Sequence, residues 1–382
     1  MSLTAAPAGS LPRGAAKLLA LHWPLALLLA AVASVGFLML YAAADGSFDP
    51  WARAQMIRFA VGFGVMIAIA MMPLRLFRTL APVGYLVSLA LLVAVDVMGR
   101  VGMGAQRWIA LGPLQLQPSE LMKLSLVLTL AAYYNRLPVE KVSRPLWVIL
   151  PLLIILAPVG LVLDQPDLGT AILMIAGGGA VMFLAGVSLW YFGAAVAAVV
   201  GVVVAVFESM GTSWQLLHDY QFKRILTFLD PSTDPLGAGY HITQAKIAMG
   251  SGGLSGRGYM QGTQSRLNFL PEKHTDFIFT TVAEDFGFIG TASLLVLYAL
   301  IITFCLASAM SNRDRFGALV TGGIAATFFL LFGVNMAMVM GLMPVVGVPL
   351  PLVSYGGSAM LMLMAAFGLV QCAHVNRPRG DR

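Results

Sequence analysis

Long apolar runs recur from one end of this chain to the other, and they restrict its fold more than any other feature. Runs of about eighteen or more residues are long enough to cross roughly 30 Å of hydrocarbon as α-helices. Only 10% of the 382 residues are charged and 59% are hydrophobic, whereas a soluble domain carries about 25% charged residues. We therefore predict an integral membrane protein, one domain over residues 1–382 without a separate soluble part.

Ten such runs predict ten membrane-spanning helices in an all-α fold. The first run follows Arg13 and Lys17 and is too long for the apolar core of a signal peptide, so we expect it to be retained as a span. The predicted spans are 22–44, 55–72, 79–97, 117–134, 146–163, 168–186, 188–207, 277–310, 317–341 and 354–372.

Basic residues in the short loops predict the orientation, because cytoplasmic loops carry an excess of Lys and Arg. With a cytoplasmic N-terminus, the inner segments hold Arg13, Lys17, Arg75, Arg78, Arg136, Lys141, Arg144, Arg313, Arg315, Arg377, Arg379 and Arg382. The short outer loops hold Arg53, Arg100 and Arg107. Both termini are therefore predicted to be cytoplasmic, and a large extracytoplasmic loop, about residues 208–276, joins helices 7 and 8.

Charge and cysteine content exclude several classes of function. The net charge of +6 comes without a basic run or a basic-aromatic platform, so nucleic acid is not an expected partner. Cys305 and Cys372 both fall in apolar runs, and two isolated cysteines give neither metal-ligand spacing nor a disulfide framework. We interpret them as small packing residues.

The large loop contains the glycine-rich stretch GSGGLSGRGYMQGTQ and six basic residues. One interpretation is a flexible surface loop. The other is a lid or substrate platform, since backbone N–H groups of Gly-rich turns cradle anions and arginines bind them. The stretch lacks the strand and the GK[ST] sequence of a nucleotide-binding loop, which excludes that function.

Charge is concentrated where the loop meets the eighth span, in NFLPEKHTDFIFTTVAEDFGFIG, residues 268–290. Ionisable groups at or below the membrane surface are costly, so they indicate a functional site. Thr275 or Asp276 could simply cap the helix. Glu284 lies eight residues beyond Asp276, about 12 Å along a helix, which is too far for the carboxylate pair of a retaining glycosidase, about 5 Å apart. We expect Asp276 to act alone, and Glu284 and Asp285 to be structural.

Three further polar clusters interrupt the apolar pattern on the predicted outer side. In GAQRWIALGPLQLQPSELMKL, Glu120 and Lys123 share a face of one helix. Either they form a self-satisfied ion pair that holds helices together, or Lys123 and Arg107 face an anion. In DQPDLGTA, Asp167 either caps a helix or belongs to the site. The prolines and glycines of GLMPVVGVPLPLVSYGGSAM indicate non-helical backbone, which a membrane tolerates only where protein or a water-filled cavity covers it.

Four strings of the chain resemble those of the SEDS family: RWIALGPLQLQPSELMKL, QPDLGTA, PEKHTDFIFTTVAEDFGFIG and GVPLPLVSYGGSAM. Their sequences are more similar to those of the RodA branch than to those of the FtsW branch. The resemblance implies a ten-span peptidoglycan glycosyltransferase that polymerises lipid II at the outer face of the bacterial cytoplasmic membrane, together with a class B penicillin-binding protein. Asp276 matches the essential extracellular aspartate of the family, and Glu120 and Lys123 match polar residues of its central cavity.

The resemblance gives the site residues their expected roles. Asp276 would be a general base in an inverting transfer, and cations would hold the pyrophosphate leaving group. A divalent cation such as Mg²⁺ could bridge the phosphates to Asp276, although no dedicated metal motif is present. The residues expected to bind substrate are Arg107, Glu120, Lys123, Arg224, Arg266, Lys273 and His274.

Two other functions fit the same residues. A flippase or transporter of a lipid-linked cell-wall precursor would use the basic cavity without a base. A non-catalytic scaffold would only position a penicillin-binding protein in the membrane.

Overall fold

A computed structural model describes most of the chain. The described residues are 14, 16–98, 100–102, 105–111, 114–209, 222, 226–227, 229–230, 238–267, 269 and 273–377.

Ten helices in this part of the chain have 18 or more residues, and short elements join them. The long helices are α2 (Trp23–Ala43), α3 (Ala52–Met71), α4 (Leu74–Met98), α5 (Pro118–Arg136), α6 (Pro145–Asp164), α7 (Leu168–Ala185), α8 (Leu189–Glu208), α11 (Ile278–Met310), α12 (Arg315–Val339) and α13 (Gly357–Val375). The short helices are α1 (Ala16–Leu19), α9 (Ala238–Gly252), α10 (Thr263–Arg266) and a 3₁₀ turn, Val139–Lys141.

All ten predicted spans correspond to one of these helices. The third begins at Leu74, five residues before the predicted position 79, because the helix continues through Arg75 and Arg78 beyond the apolar run. The two spans on either side of Gly186 are separate helices, since Gly186 ends α7 in a left-handed conformation with φ 95°.

Helix α5 differs from the other nine. Those nine are long and apolar enough to cross a membrane, whereas α5 carries Glu120, Lys123 and Arg136. It packs against α4, α7 and α12, and twelve of its side chains are buried. A polar helix is tolerated at this place because protein surrounds it.

A three-stranded antiparallel sheet precedes α5 and was not predicted. Its strands are β1 (Arg100–Gly102), β2 (Ala105–Leu111) and β3 (Leu114–Leu116), in the order β1-β2-β3. Ile109 pairs with Leu116 across the second hairpin. The available signal was the Gly-Pro pair between the apolar run WIAL and the alternating apolar and polar residues of LQLQ, which is typical of a hairpin.

Helix α11 is interrupted at Gly287, where the backbone has φ 63° and ψ −158°. The predicted eighth span is therefore two helical pieces rather than one. Such a kink frees backbone groups that the membrane interior cannot hydrate. They are satisfied by the turn that follows α9: Phe288 N–H donates to Gly253 O at 2.9 Å, and Ile289 N–H donates to Leu254 O at 3.0 Å.

The same turn also bonds to the carbonyls before the kink. Arg257 N–H donates to Glu284 O at 2.9 Å, and Gly258 N–H donates to Asp285 O at 3.1 Å. We call this reciprocal arrangement of residues 253–262 with residues 283–289 the glycine interlock. A side chain on Gly287 would collide with the backbone nitrogen of Gly256 and lie 2.7 Å from Leu254 O, so the two backbones approach this closely only with glycine.

Gly287→Ala is expected to destabilise the protein by on the order of 3 kcal/mol, since alanine both strains this φ/ψ combination and separates the two backbones. Thermal unfolding in detergent measures the effect. Gly250→Ala is the matched control, because Gly250 lies in α9 with open space around its Cβ position. Equal unfolding temperatures for the two variants would contradict the interlock.

Candidate active site

Asp276 lies immediately before α11 and is half-buried. The residue at the cap position of α11 is Phe277, so neither Thr275 nor Asp276 occupies that position. A Cβ atom on Gly347 would lie 3.5 Å from Asp276 Oδ2. The carboxylate therefore faces the Pro- and Gly-rich segment between α12 and α13.

Buried side chains fix the backbone at Asp276. Asn335 of α12, which is fully buried, donates from Nδ2 to Asp276 O at 2.9 Å and to Val348 O at 2.7 Å. Ser354 Oγ donates to Thr275 O at 2.6 Å. Two elements distant in sequence thus hold this short stretch and position its backbone.

The segment between α12 and α13 is non-helical and covered by protein, as its prolines predicted. Leu350 and Val353 are buried, and Leu350 N–H donates to Ser354 Oγ at 2.8 Å. Gln55 Nε2 donates to Ser354 O at 2.9 Å, and Tyr298 Oη donates to Pro351 O at 2.6 Å. These side chains supply the partners that a helix would otherwise give the backbone.

An aromatic and cationic group lies beside Asp276. Trp51 stacks on His274 with ring centroids 4.3 Å apart, and Tyr355 N–H donates to His274 O at 2.9 Å. Arg58 lies 4.7 Å above the Tyr355 ring and donates from Nη2 to Tyr355 Oη at 3.1 Å. Its Nη1 is buried, with no hydrogen-bond partner among the described residues.

Sequence reasoning missed Trp51, Arg58 and Tyr355. Arg58 carried a usable signal, because it is a charge inside the predicted span 55–72, where ionisable residues indicate function. The two aromatic residues gave no signal, since Trp and Tyr are common at membrane interfaces.

Lys273 is buried, with 5% of its surface exposed. Burial lowers the pKa of Lys273, and the nearby Asp45 carboxylate partly opposes that shift. Lys273 lies three residues before Asp276 in the sequence.

Glu120 and Lys123 form a buried ion pair, with Lys123 Nζ 2.7 Å from Glu120 Oε1. Both line a cavity of about 70 Å³ between α5, α12 and α13, together with Gln55 and Ser354. Ser354 also bonds to Thr275 O. Ser354 therefore connects the cavity to the backbone next to Asp276. Asp276 itself does not line the cavity.

Arg107 does not line this cavity with Lys123. It donates from Nε to Gln165 O at 3.1 Å and from Nη2 to Pro166 O at 2.5 Å, and its Nε lies 3.9 Å from Asp167 Oδ2. Asp167 caps α7 by accepting from Thr170 N–H at 3.2 Å, which confirms the capping alternative. The structure groups Arg107 with the turn between α6 and α7.

The glycine-rich stretch does cradle anions, but they are carboxylates of this chain. Gln264 N–H donates to Glu284 Oε1 at 2.8 Å, and Met260 N–H donates to Asp285 Oδ2 at 3.1 Å. Both carboxyl side chains are buried. Glu284 and Asp285 thus hold the glycine interlock, which agrees with their expected structural role.

Two further residues were expected to bind substrate, Arg266 and Arg224. Arg266 is exposed at the end of α10, whereas Arg224 lies outside the described residues. In the part of the chain that the structure describes, no group of three or more His, Cys, Asp or Glu residues could hold a metal ion.

Comparison with known proteins identifies the family. The model of a cell cycle protein family, FtsW/RodA/SpoVE, matches residues 17–378. The chain belongs to this family. It is a membrane protein with the family's nearly all-helical fold.

Individual relatives agree with that assignment. The peptidoglycan glycosyltransferase MrdB of Escherichia coli K12 is 46% identical over 320 residues, which cover 84% of each chain. A probable peptidoglycan glycosyltransferase FtsW of Alkalilimnicola ehrlichii is 35% identical over 92% of this chain and 88% of its own.

Two solved structures have the same fold. The first, described as a peptidoglycan synthase complex that coordinates polymerization and crosslinking, gives a TM-score of 0.80 at 34% identity, over 94% of this chain and 99% of that chain. The second, the rod shape determining protein RodA of Thermus thermophilus, gives 0.71 at 31% identity, over 95% and 99%.

Lys123→Met should cost about 3–5 kcal/mol of stability, because it leaves the Glu120 carboxylate buried without its cation. The double variant Glu120→Gln with Lys123→Met should regain most of that loss, since no unpaired charge remains. Thermal unfolding of both purified variants tests the pair. A double variant as unstable as the single one would show that the charge pairing is not what stabilises this site.

Proposed function

We propose that this chain is a peptidoglycan glycosyltransferase that polymerises lipid II into glycan strands during cell elongation. Its 46% identity to a peptidoglycan glycosyltransferase over 84% of both chains supports the activity. The observation that carries the mechanism is the position of Asp276, whose backbone is fixed by Asn335 and, through Thr275 O, by Ser354. Ser354 also lines the cavity that contains Glu120 and Lys123.

Asp276 is the general base of the proposed reaction. The incoming sugar hydroxyl gives its proton to the carboxylate as its oxygen attacks the anomeric carbon of the donor. The bond from that carbon to the lipid pyrophosphate breaks, and the electron pair leaves with the pyrophosphate. Attack opposite the leaving group inverts the anomeric carbon, so a second carboxylate is not required.

The leaving group is an anion and needs positive charge rather than a proton donor. Lys123 at the cavity and Lys273, three residues before Asp276 in the sequence, supply it in this proposal. His274 lies between Trp51 and Tyr355, two residues before Asp276. Arg58, with a buried Nη1 that makes no hydrogen bond among the described residues, is a further cation for the phosphates. For Arg107, Arg224 and Arg266, substrate binding on the predicted outer side of the membrane stays a prediction.

A divalent cation such as Mg²⁺ that bridges the phosphates to Asp276 stays a prediction, since one or two carboxylates with substrate phosphates are enough to bind this ion. Glu284 and Asp285 bind the glycine interlock instead.

The proposed location is the bacterial cytoplasmic membrane, with both termini cytoplasmic and Asp276 facing the periplasm. The distribution of basic residues between loops supports this orientation. We further propose a class B penicillin-binding protein as the partner. The similarity to a peptidoglycan synthase complex that coordinates polymerization with crosslinking supports it.

Asp276→Asn is expected to lower the rate of polymerisation of purified lipid II by about 10²–10⁴-fold, the usual contribution of a positioned base. Gel analysis of the glycan products measures it, and unchanged thermal unfolding shows that the variant folds. Asp164→Asn is the matched control, because Asp164 is exposed at the end of α6 on the same predicted side.

The same assay distinguishes a polymerase from the two alternatives, a scaffold and a flippase. Polymer made by the purified wild-type chain alone excludes a scaffold. Polymerisation retained by Asp276→Asn would overturn the role of Asp276 as the base. A purified wild-type chain that makes no polymer would favour a flippase, which needs no base.

A further inference from the structure

A second cavity lies at the opposite end of the helices from Asp276. It has a volume of about 410 Å³ and is bounded by α4, α5 and α6, within the range usual for ligand pockets. We call it the basic crevice, because Arg136 and Lys141 line its surface end. The proposed reaction uses none of its residues.

The crevice is polar at one end and apolar at the other. Pro82 lies eight residues beyond the start of α4, and Ile154 lies nine beyond the start of α6, so the crevice extends about 12–14 Å from the helix ends. Ala132 of α5 lines it as well. Residues next to this lining, Val83 and Leu153, are exposed, so the deep end borders the lipid-facing surface.

The hydrogen bonds that join the three helices do not involve the side chains of Arg136 and Lys141. Thr129 Oγ1 donates to Ala81 O at 3.0 Å, and Tyr133 Oη donates to Trp147 O at 2.8 Å. These contacts join α4, α5 and α6 around the crevice. The walls are therefore fixed by polar groups other than Arg136 and Lys141.

Arg136 and Lys141 have no counter-charge among the described residues. Neither forms an ion pair with a described carboxylate, although the exposed Glu140 is adjacent to Lys141 in sequence. Lys141 Nζ lies 5.3 Å from the centroid of the Trp147 ring. Two cations and an aromatic ring at a membrane edge attract an anionic headgroup.

We propose that the basic crevice binds one anionic phospholipid of the bilayer, with its phosphate at Arg136 and Lys141 and an acyl chain between Pro82 and Ile154. Charge and shape together select this occupant. A free phosphate would leave the apolar part empty, and a neutral lipid would leave the two cations without an anion. On the predicted orientation, the headgroup belongs to the cytoplasmic leaflet.

The test uses the purified full chain, stripped of lipid in a neutral detergent. Phosphatidylglycerol, phosphatidylcholine and inorganic phosphate are added separately, and thermal unfolding and native mass spectrometry report stabilisation and bound lipid. Phosphatidylglycerol should raise the unfolding temperature and remain bound as a single copy. Equal stabilisation by phosphatidylcholine, or by inorganic phosphate, would overturn the proposal.

The variant Arg136→Gln with Lys141→Gln should weaken phosphatidylglycerol binding by about 30-fold. Ala132→Leu, which fills the apolar part and keeps both charges, should weaken it as well. The matched control, Arg313→Gln with Arg377→Gln, removes the same charge at the same end of the helices, outside the crevice lining. If that control loses as much binding as the crevice variant, the attraction is general and the crevice is not a site.

Discussion

The need to pair every buried backbone N–H and C=O group is the constraint on which this structure depends. In hydrocarbon each unpaired group costs several kcal/mol, so chains cross membranes as continuous helices unless other protein groups take over. This chain departs from helix at Gly287 and between α12 and α13. At the first place a turn supplies the partners through its own backbone, and at the second Gln55, Tyr298 and Ser354 do so.

Asp276 lies between these two departures from helix. The interlock at Gly287 fixes the piece of α11 that precedes Gly287. The segment before α13 contributes Ser354, which donates a hydrogen bond to the carbonyl oxygen of Thr275. Broken helices thus create both the cavity and the rigid support of the carboxylate. A continuous α11 would carry the same residues but would leave the glycine-rich turn without its partners.

Carboxylates of one stretch have different roles because different groups surround them. Glu284 and Asp285 accept hydrogen bonds from backbone N–H groups of the glycine-rich turn. The turn thus binds carboxylates of its own chain in the way that such turns bind anionic ligands. The backbone carbonyl oxygen of Asp276 accepts a hydrogen bond from Asn335, so packing between helices helps to fix the position of this residue. The ion pair of Glu120 and Lys123 is a third case, in which charge is stabilised at the cavity by an opposite charge.

The amino-acid sequence by itself determined the ten helices, the concentration of charge in residues 268–290 and the separation of Asp276 from Glu284 along the chain. Each of these follows from helix rise and the length of apolar runs, which are local properties. Only the tertiary structure decided that Asn335 holds Asp276, that Arg107 belongs with Asp167, and that Arg58 and Trp51 join the site. Asn335 and Asp276 are 59 residues apart, and Gln55 and Ser354 are 299 apart. Contacts over such separations depend on how helices pack, and helix faces that meet lipid or protein are alike in sequence.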